Sequence, residues 1–162
     1  MELKEYKNAI KYCNVLLENK LDPEFLFVAH QIKGEAFYYL REYKQSIEVL
    51  HKSVEILDPN PNSFKLLSGD KIVSFRFMGL SYQGLNEYNK ALEIFNKMTK
   101  LDKKKFSGLL ESAELLIKIK KYGEAEKTLR DVIEVTKNWP NSNLWKEEVR
   151  SLRERIRRAK KR

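Results

Sequence analysis

Seven small or apolar residues in the middle of the chain recur at the same offsets, displaced by 34 residues. The first set is Phe75, Met78, Gly79, Tyr82, Ala91, Phe95 and Met98; the second is Leu109, Ser112, Ala113, Leu116, Ala125, Leu129 and Val132. A period of this length indicates an array of helix pairs. The small residues allow two helix backbones to approach, and the large ones fill the remaining space. The period therefore predicts an all-α array of stacked pairs.

Two further copies lie upstream. The core offsets return at Gly34, Phe37, Ser46, Leu50 and Ser53. A half-copy that matches only the second helix of a pair opens the chain, at Tyr6, Ala9, Cys13 and Leu16. Gly34 and Gly79 are 45 residues apart, so about 11 extra residues separate these two units.

The best copy, residues 72–102, reads F-x2-M-G-x2-Y-x8-A-x3-F-x2-M. This pattern resembles the tetratricopeptide repeat (TPR), a unit of two antiparallel helices. The resemblance covers roughly residues 5–137 and implies an all-α fold, an α-solenoid of antiparallel helix pairs. It implies about three full repeats, preceded by an N-terminal half-repeat helix and followed by a C-terminal capping helix.

Length and breaker residues predict a single domain over 1–162. Its expected parts are a half-repeat at 1–22, repeats at 23–59, 71–102 and 103–138, an insertion at 60–70, and a capping helix with a basic tail at 141–162. Helices are expected over 3–20, 23–40, 43–57, 71–84, 88–100, 104–119 and 122–137. Ser63 is an alternative cap for a longer fourth helix that begins at Phe64, but a start at Lys71 is favoured.

The last helix carries one apolar stripe on an otherwise charged surface. Its members are spaced 4, 3, 4 and 3 residues apart: Trp145, Val149, Leu152, Ile156 and Ala159. This spacing favours a cap over the last exposed face of the array. A coiled-coil contact with a second chain is the alternative.

In TPR proteins a stripe on each first helix lines a concave groove that holds an extended peptide or a helix. Carried over to this chain, the groove would be lined by Val28, Gln31, Glu35, Tyr38, Tyr39, Val73, Arg76, Phe77, Leu80, Gln83, Ser107, Leu110, Glu111, Glu114 and Ile117. Its centre is apolar, and Arg76 is flanked by Glu35, Glu111 and Glu114. Such a lining suits an amphipathic segment of a partner protein with apolar anchors.

One TPR subtype grips the C-terminal carboxylate of a chaperone with Lys, Asn and Arg side chains. At those places this chain has Gln31, Glu35, Phe77, Ser107 and Glu111. The glutamates carry the wrong charge for a carboxylate ligand. The sequence therefore predicts that such tails do not bind.

The net charge of +9 is concentrated at the C-terminus, where residues 150–162 hold eight Lys or Arg and one Glu. The end of this segment, Arg157, Arg158, Lys160, Lys161 and Arg162, is a candidate nucleic-acid contact. The plain alternative is a solubilising helix end, which cations near a C-terminal helix dipole favour. These residues define the second functional hypothesis, a nucleic-acid-associated accessory protein whose repeats dock another subunit.

No residue pattern predicts catalysis, a metal site or a cofactor. His30 and His51 lie 21 residues apart without further ligands at metal spacing. His51 is expected on a solvated face, His30 in the core with a hydrogen-bond partner, and Cys13 as a buried core residue. The leading hypothesis is thus a non-catalytic protein–protein interaction adaptor or scaffold. Without a leader or an apolar span, it is expected in the cytoplasm. The unpaired first helix adds a homo-oligomer as a further expectation.

Overall fold

The computed structural model describes residues 3–56, 68–101, 106–140 and 142–161, with the side chains of 68–70 and 142 left undescribed. Within these ranges the secondary structure consists of α-helices, in the order α1 Leu3–Leu17, α2 Pro23–Tyr39, α3 Tyr43–Ile56, α4 Ser68–Gly84, α5 Tyr88–Leu101, α6 Ser107–Lys118, α7 Tyr122–Thr136 and α8 Ser142–Lys160. The expected fold class, an all-α solenoid of helix pairs, is confirmed.

The start of α4 differs from the expectation, and α6 begins at Ser107 where a start at residue 104 was expected. Ser68, Gly69 and Asp70 belong to α4, so this helix extends three residues beyond the expected start at Lys71. The alternative start at Phe64 lies outside the described residues. Pro23 occupies the first position of α2 as expected, because its fixed φ suits a helix start and its missing N–H is not needed there.

The repeat is visible in the turns as well as in the core. Arg41, Asn86 and Lys120 each follow the first helix of a pair and adopt a left-handed φ of 61–63°. In each turn the next amide donates to a carbonyl five residues back, as Glu42 N donates to Phe37 O. These bonds satisfy carbonyls that the helix end leaves unpaired. The turns are 45 and 34 residues apart, which is the spacing of Gly34, Gly79 and Ala113 at the equivalent repeat position.

The chain divides into two compact units, residues 1–94 and 95–162. In the first unit, Ser46 contacts Ser81 and Ser53 contacts Ser74, so α3 and α4 run antiparallel. Helices α2 and α4 run parallel, since Gln31 contacts Ser74 and Tyr38 contacts Phe77 further along. Successive first helices therefore present neighbouring stripes to the same side.

Close helix packing in this unit requires Gly34. A Cβ atom there would lie 2.4 Å from Cγ of Leu50 on α3. Leu50 is fully buried, so its side chain has no room to move aside. The glycine at this repeat position thus brings α2 and α3 together, as the spacing predicts.

In the second unit, α8 covers the preceding pair. Val149, Leu152 and Ile156 are buried, and Trp145 joins Phe106 and Trp139 in an aromatic cluster with a shortest centroid distance of 4.3 Å. Helix α8 packs on α7 and α6. The capping role expected for its apolar stripe is confirmed.

Candidate protein-binding surface

An aromatic cluster joins the first four helices of the first unit. Tyr6 of α1 stacks on Tyr39 of α2 with ring centroids 4.7 Å apart and an interplanar angle of 15°. Phe77 of α4 lies between Tyr38, at 5.2 Å, and Tyr39, at 5.8 Å. Tyr43 of α3 completes the group, 6.0 Å from Tyr38. Such ring pairs add to the stabilisation from apolar burial, so the cluster sets the relative position of the four helices.

Phe77 was expected on an open groove wall, but it is buried. Its side chain is only 5% exposed, because the rings of Tyr38 and Tyr39 cover it. Phe77 therefore supports the surface from beneath and has little area left for a partner. Leu80 and Gln83 on the same helix are half-buried, and Gln83 already has a partner of its own.

The open part of the surface is a row of side chains along α2. Phe25, Ile32 and Tyr39 are 63%, 45% and 42% exposed, although all three are large and apolar or aromatic. With Val28 and Glu35 they follow a spacing of three, four, three and four residues, which places them on one face of the helix. We call Phe25, Val28, Ile32, Glu35 and Tyr39 the α2 stripe.

The sequence identified only part of the α2 stripe. Val28, Glu35 and Tyr39 were expected on the groove wall, while Phe25 and Ile32 were missed. Both occupy positions to which the repeat core assigns no role. Their apolar character at helical spacing beside Val28 was the available signal.

Helix α4 borders the α2 stripe with one apolar residue and one cation. Val73 is exposed at the edge of α4, and Arg76 is exposed one turn further on. Burial raises the pKa of the Glu35 carboxyl, and the positive charge of Arg76 opposes this rise. The charge of Glu35 is thus partly balanced within the protein, which leaves a mainly apolar surface with a polar centre.

A chain of hydrogen bonds lies behind this surface. Gln31 Nε2 donates to Ser74 Oγ at 3.4 Å, Ser74 contacts Ser53 Oγ at 3.1 Å, and Ser53 donates to the carbonyl of Leu50 at 2.7 Å. Because Ser53 uses its hydrogen on Leu50, Ser74 is the donor to Ser53. Gln31, expected on the groove wall, is therefore half-buried and tied to α3 through α4.

His30 contradicts the expectation of a satisfied core histidine. Its Nδ1 atom is buried and has no hydrogen-bond partner among the residues that the structure describes. Burial lowers the pKa of the imidazole, and the positive charges of Lys33 and Lys52 lower it further. His51 is exposed, as expected, and Cys13 is buried with a thiol pKa that burial raises.

Five predicted groove residues lie on α6, in the second unit: Ser107, Leu110, Glu111, Glu114 and Ile117. Glu111 is half-buried and Glu114 is exposed, and both already have interactions within the protein. Ile117, expected beside them, is buried. Glu111 and Glu114 are therefore more exposed than Ile117.

The predicted basic tail lies at the end of α8. Arg157, Arg158, Lys160 and Lys161 are exposed, and Arg162 lies outside the described residues. Arg158 is 3.7 Å from Glu154. Among the residues described, no cluster of three or more His, Cys, Asp or Glu side chains is placed to hold a metal ion. None of the helices described is both long and apolar enough to cross a bilayer.

Comparison with known proteins agrees with this architecture. Residues 77–105 match the tetratricopeptide repeat family model. This segment overlaps the best copy in the sequence and includes α5. A mouse (Mus musculus) protein, Tetratricopeptide repeat protein 21A, is 31% identical over 101 residues, which is 62% of this chain. The resemblance to the family is confirmed.

The chain spans about 7% of the length of that mouse relative. Among solved structures, MamA 41-end from Desulfovibrio magneticus RS-1 aligns with a TM-score of 0.40 and 18% identity, over 86% of this chain and 97% of the other. Repeats of the TPR type are in general protein-interaction modules and are typically non-catalytic scaffolds.

Proposed function

We propose that this chain is a non-catalytic adaptor, acting in the cytoplasm, that binds an amphipathic helix of a partner protein on the α2 stripe and the adjoining edge of α4. The observation that carries the proposal is the exposure of Phe25, Val28, Ile32 and Tyr39 in one row. Exposed apolar residues grouped on one helix face are typical of interaction sites.

The spacing of the stripe favours a helical ligand over an extended one. Its members follow the three- and four-residue spacing by which one helix packs against another. From Phe25 to Tyr39 the stripe extends for about 21 Å, at about 1.5 Å per residue. A partner helix of about four turns would cover this length.

Charge narrows the choice of partner further. Glu35 lies inside the α2 stripe, and Arg76 lies beside it on α4. A partner with a basic residue aligned with Glu35 and an acidic residue aligned with Arg76 would complement both. A C-terminal carboxylate would instead meet Glu35, so the prediction against chaperone tails is retained.

A displayed library of helical peptides tests the proposal with no need for an identified partner. The wild-type chain is expected to enrich peptides whose apolar residues follow the same three- and four-residue spacing. Val28→Asp combined with Ile32→Asp places charge in the middle of the stripe. The loss of two aliphatic contacts should weaken binding of the selected peptides by about 100-fold or more.

Leu144→Asp is the matched control, because Leu144 on α8 is 62% exposed and lies outside the proposed surface. It should leave peptide binding unchanged. Circular dichroism should show the same helicity for all three proteins, since the substituted side chains are exposed. Peptides that bind the double variant as tightly as the wild type, or that follow no helical spacing, would refute the proposed site.

A further inference from the structure

Helix α8 carries a second surface. It is basic, whereas the α2 stripe is mainly apolar. Lys146, Arg150, Arg153 and Arg157 are spaced four, three and four residues apart and line one groove beside α7. We call these four residues the α8 basic stripe. The groove has a volume of about 400 Å³, and Ile133 and Val149 contribute its apolar lining. From Lys146 to Arg157 the stripe extends for about 16 Å.

The positive charge of the α8 basic stripe is only partly neutralised by the protein. Arg153 donates from Nε to Glu126 of α7 at 3.2 Å. Glu154 also lines the groove, but it is 3.7 Å from Arg158. Lys146, Arg150 and Arg157 form no ion pair within the described part of α8 or its neighbours.

A second basic groove lies along the same helix pair. It has a volume of about 630 Å³ and is lined by Lys120 in the turn before α7, by Tyr122 at the start of α7, and by Arg155, Arg158 and Ala159 near the end of α8. Arg155 and Arg158 belong to a different face of α8 from the α8 basic stripe, so cations border this helix on two sides. A ligand that binds along either groove meets several cations, so a polyanion is the ligand class indicated.

We infer that the α8 basic stripe binds the phosphate backbone of a nucleic acid, without reading its sequence. Guanidinium groups, which make up three of the four cations, match phosphate in planar two-bond geometry. This surface is separate from the α2 stripe, and the inference does not depend on the proposed adaptor function.

Two other polyanionic partners fit the surface less well. Insertion of α8 into an anionic membrane would need an apolar helix face, but Val149, Leu152 and Ile156 are buried in the protein. A folded acidic protein would need apolar anchors at the centre of its interface. On the described part of α8, the exposed large apolar residue is Leu144, beyond the end of the stripe.

The sequence had indicated a basic tail at residues 157–162 but not this stripe. Lys146, Arg150 and Arg153 were not among the predicted contact residues, because the cations are densest at the C-terminus. The signal was the regular spacing of cations at 146, 150, 153 and 157, which places them on one helix face.

Fluorescence anisotropy of the full chain with labelled nucleic acid tests the inference. The probes are a duplex DNA of about 30 base pairs, the corresponding single strand, and a duplex RNA of the same length. Four phosphate contacts predict a slope of about −3.6 for log affinity against log salt on duplex DNA. Affinity should then fall by about 100-fold between about 50 and 200 mM salt. The three probes distinguish DNA from RNA and duplex from single strand.

Three variants with the same loss of charge locate the contact. The first variant combines Lys146→Gln, Arg150→Gln and Arg157→Gln. It should reduce the magnitude of the salt slope by about 2.7 and weaken binding by at least about tenfold at low salt. Lys4→Gln with Lys7→Gln and Lys11→Gln removes three exposed cations of α1 instead and should leave the slope unchanged. Lys160→Gln with Lys161→Gln and Arg162→Gln tests the terminal tail separately.

Four results would overturn the inference. One is nucleic-acid binding that is absent or insensitive to salt in the wild type, a measurement that requires no variant. Another is an equal loss from the α1 and α8 variants, which would show a general effect of net charge. A loss confined to the tail variant would place the contact at the terminus. Tighter binding to phosphatidylserine vesicles or to polyglutamate than to any nucleic-acid probe would assign the surface to a different polyanion.

Discussion

Single residues in this chain are explained by their immediate neighbours, and His30 is the clearest case. The sequence places it in the core of α2, and the structure confirms that Nδ1 is buried. The sequence could not show that the described residues provide no hydrogen-bond partner for Nδ1, because a hydrogen bond depends on atoms from several helices. The nearby charges of Lys33 and Lys52 further disfavour the protonated imidazole.

We expect His30→Leu to stabilise the protein. Removal of an unpaired buried nitrogen should raise the free energy of unfolding near neutral pH by about 1 kcal/mol. The gain should increase as the pH falls below 6.5, the reference pKa of His30. In that range the unfolded wild type binds a proton that the native state resists, so the wild type loses stability while the leucine variant does not.

Urea unfolding at several pH values between about 5 and 8 measures this effect. His51→Leu is the control, because His51 is the other histidine and is exposed. Its effect should be small. Two results would contradict this prediction: His30→Leu lowers the free energy of unfolding, or its unfolding free energy depends on pH as that of the wild type does. Either would show that the imidazole makes favourable interactions in the native state.

At the scale of helices, the sequence predicted the pairs well because their signals are local. Pro23 marks the start of α2, and the turn at Arg41 follows the expected end of that helix. The exposed surface was less predictable. Phe77 was expected at the groove and is covered by Tyr38 and Tyr39, whose positions depend on four helices together.

The sequence also could not predict which residues of α3 and α4 contact each other. Ser46 and Ser53 were recognised as small residues at core positions, but their partners Ser74 and Ser81 were not. The segment between these helices contains about 11 residues beyond the repeat period, so the register of α3 against α4 could not be derived. In the structure all four serines are fully buried and form two hydrogen-bonded pairs.

A double-mutant cycle on Ser46 and Ser81 measures the value of one pair. Ser81 Oγ donates to Ser46 Oγ at 3.0 Å. Either single alanine substitution leaves one buried hydroxyl without its partner and should cost about 1–2 kcal/mol of unfolding free energy. Ser46→Ala with Ser81→Ala removes both hydroxyls and should cost less than the sum of the single changes, by about 1 kcal/mol.

Ser46→Ala combined with Ser53→Ala is the control cycle. These serines belong to different pairs and lie two turns apart on α3, so their costs should add. Urea unfolding of each variant supplies the free energies. If the Ser46 and Ser81 changes are also additive, the hydrogen bond between them contributes no measurable coupling.

At the scale of the whole chain, stability and charge have separate sources. The fully buried side chains are mainly apolar, including Phe27, Leu50, Phe95 and Leu129. Ion pairs such as Lys52–Glu48 and Lys121–Glu124 join near neighbours in sequence and are exposed. Exposed pairs of this kind contribute little to folding. The net charge of +9, in contrast, generates repulsion in the folded state.

Salt should therefore act in opposite directions on folding and on nucleic-acid binding. Raising NaCl from about 0.05 to 1 M shortens the screening length to about 3 Å. The repulsion among the cations is then screened, and Tm should stay constant or rise by about 3 °C, while binding through the α8 basic stripe is lost. Thermal unfolding followed by circular dichroism gives Tm across the salt series.

The variant with Lys146, Arg150 and Arg157 changed to Gln provides the comparison, because it lowers the net charge of +9 by three. Its Tm at low salt should be at least that of the wild type, and it should rise less on addition of salt. The physical reason is that fewer like charges remain to be screened. A Tm of the wild type that falls by several degrees in high salt would show the reverse, namely that exposed ion pairs hold the helices together.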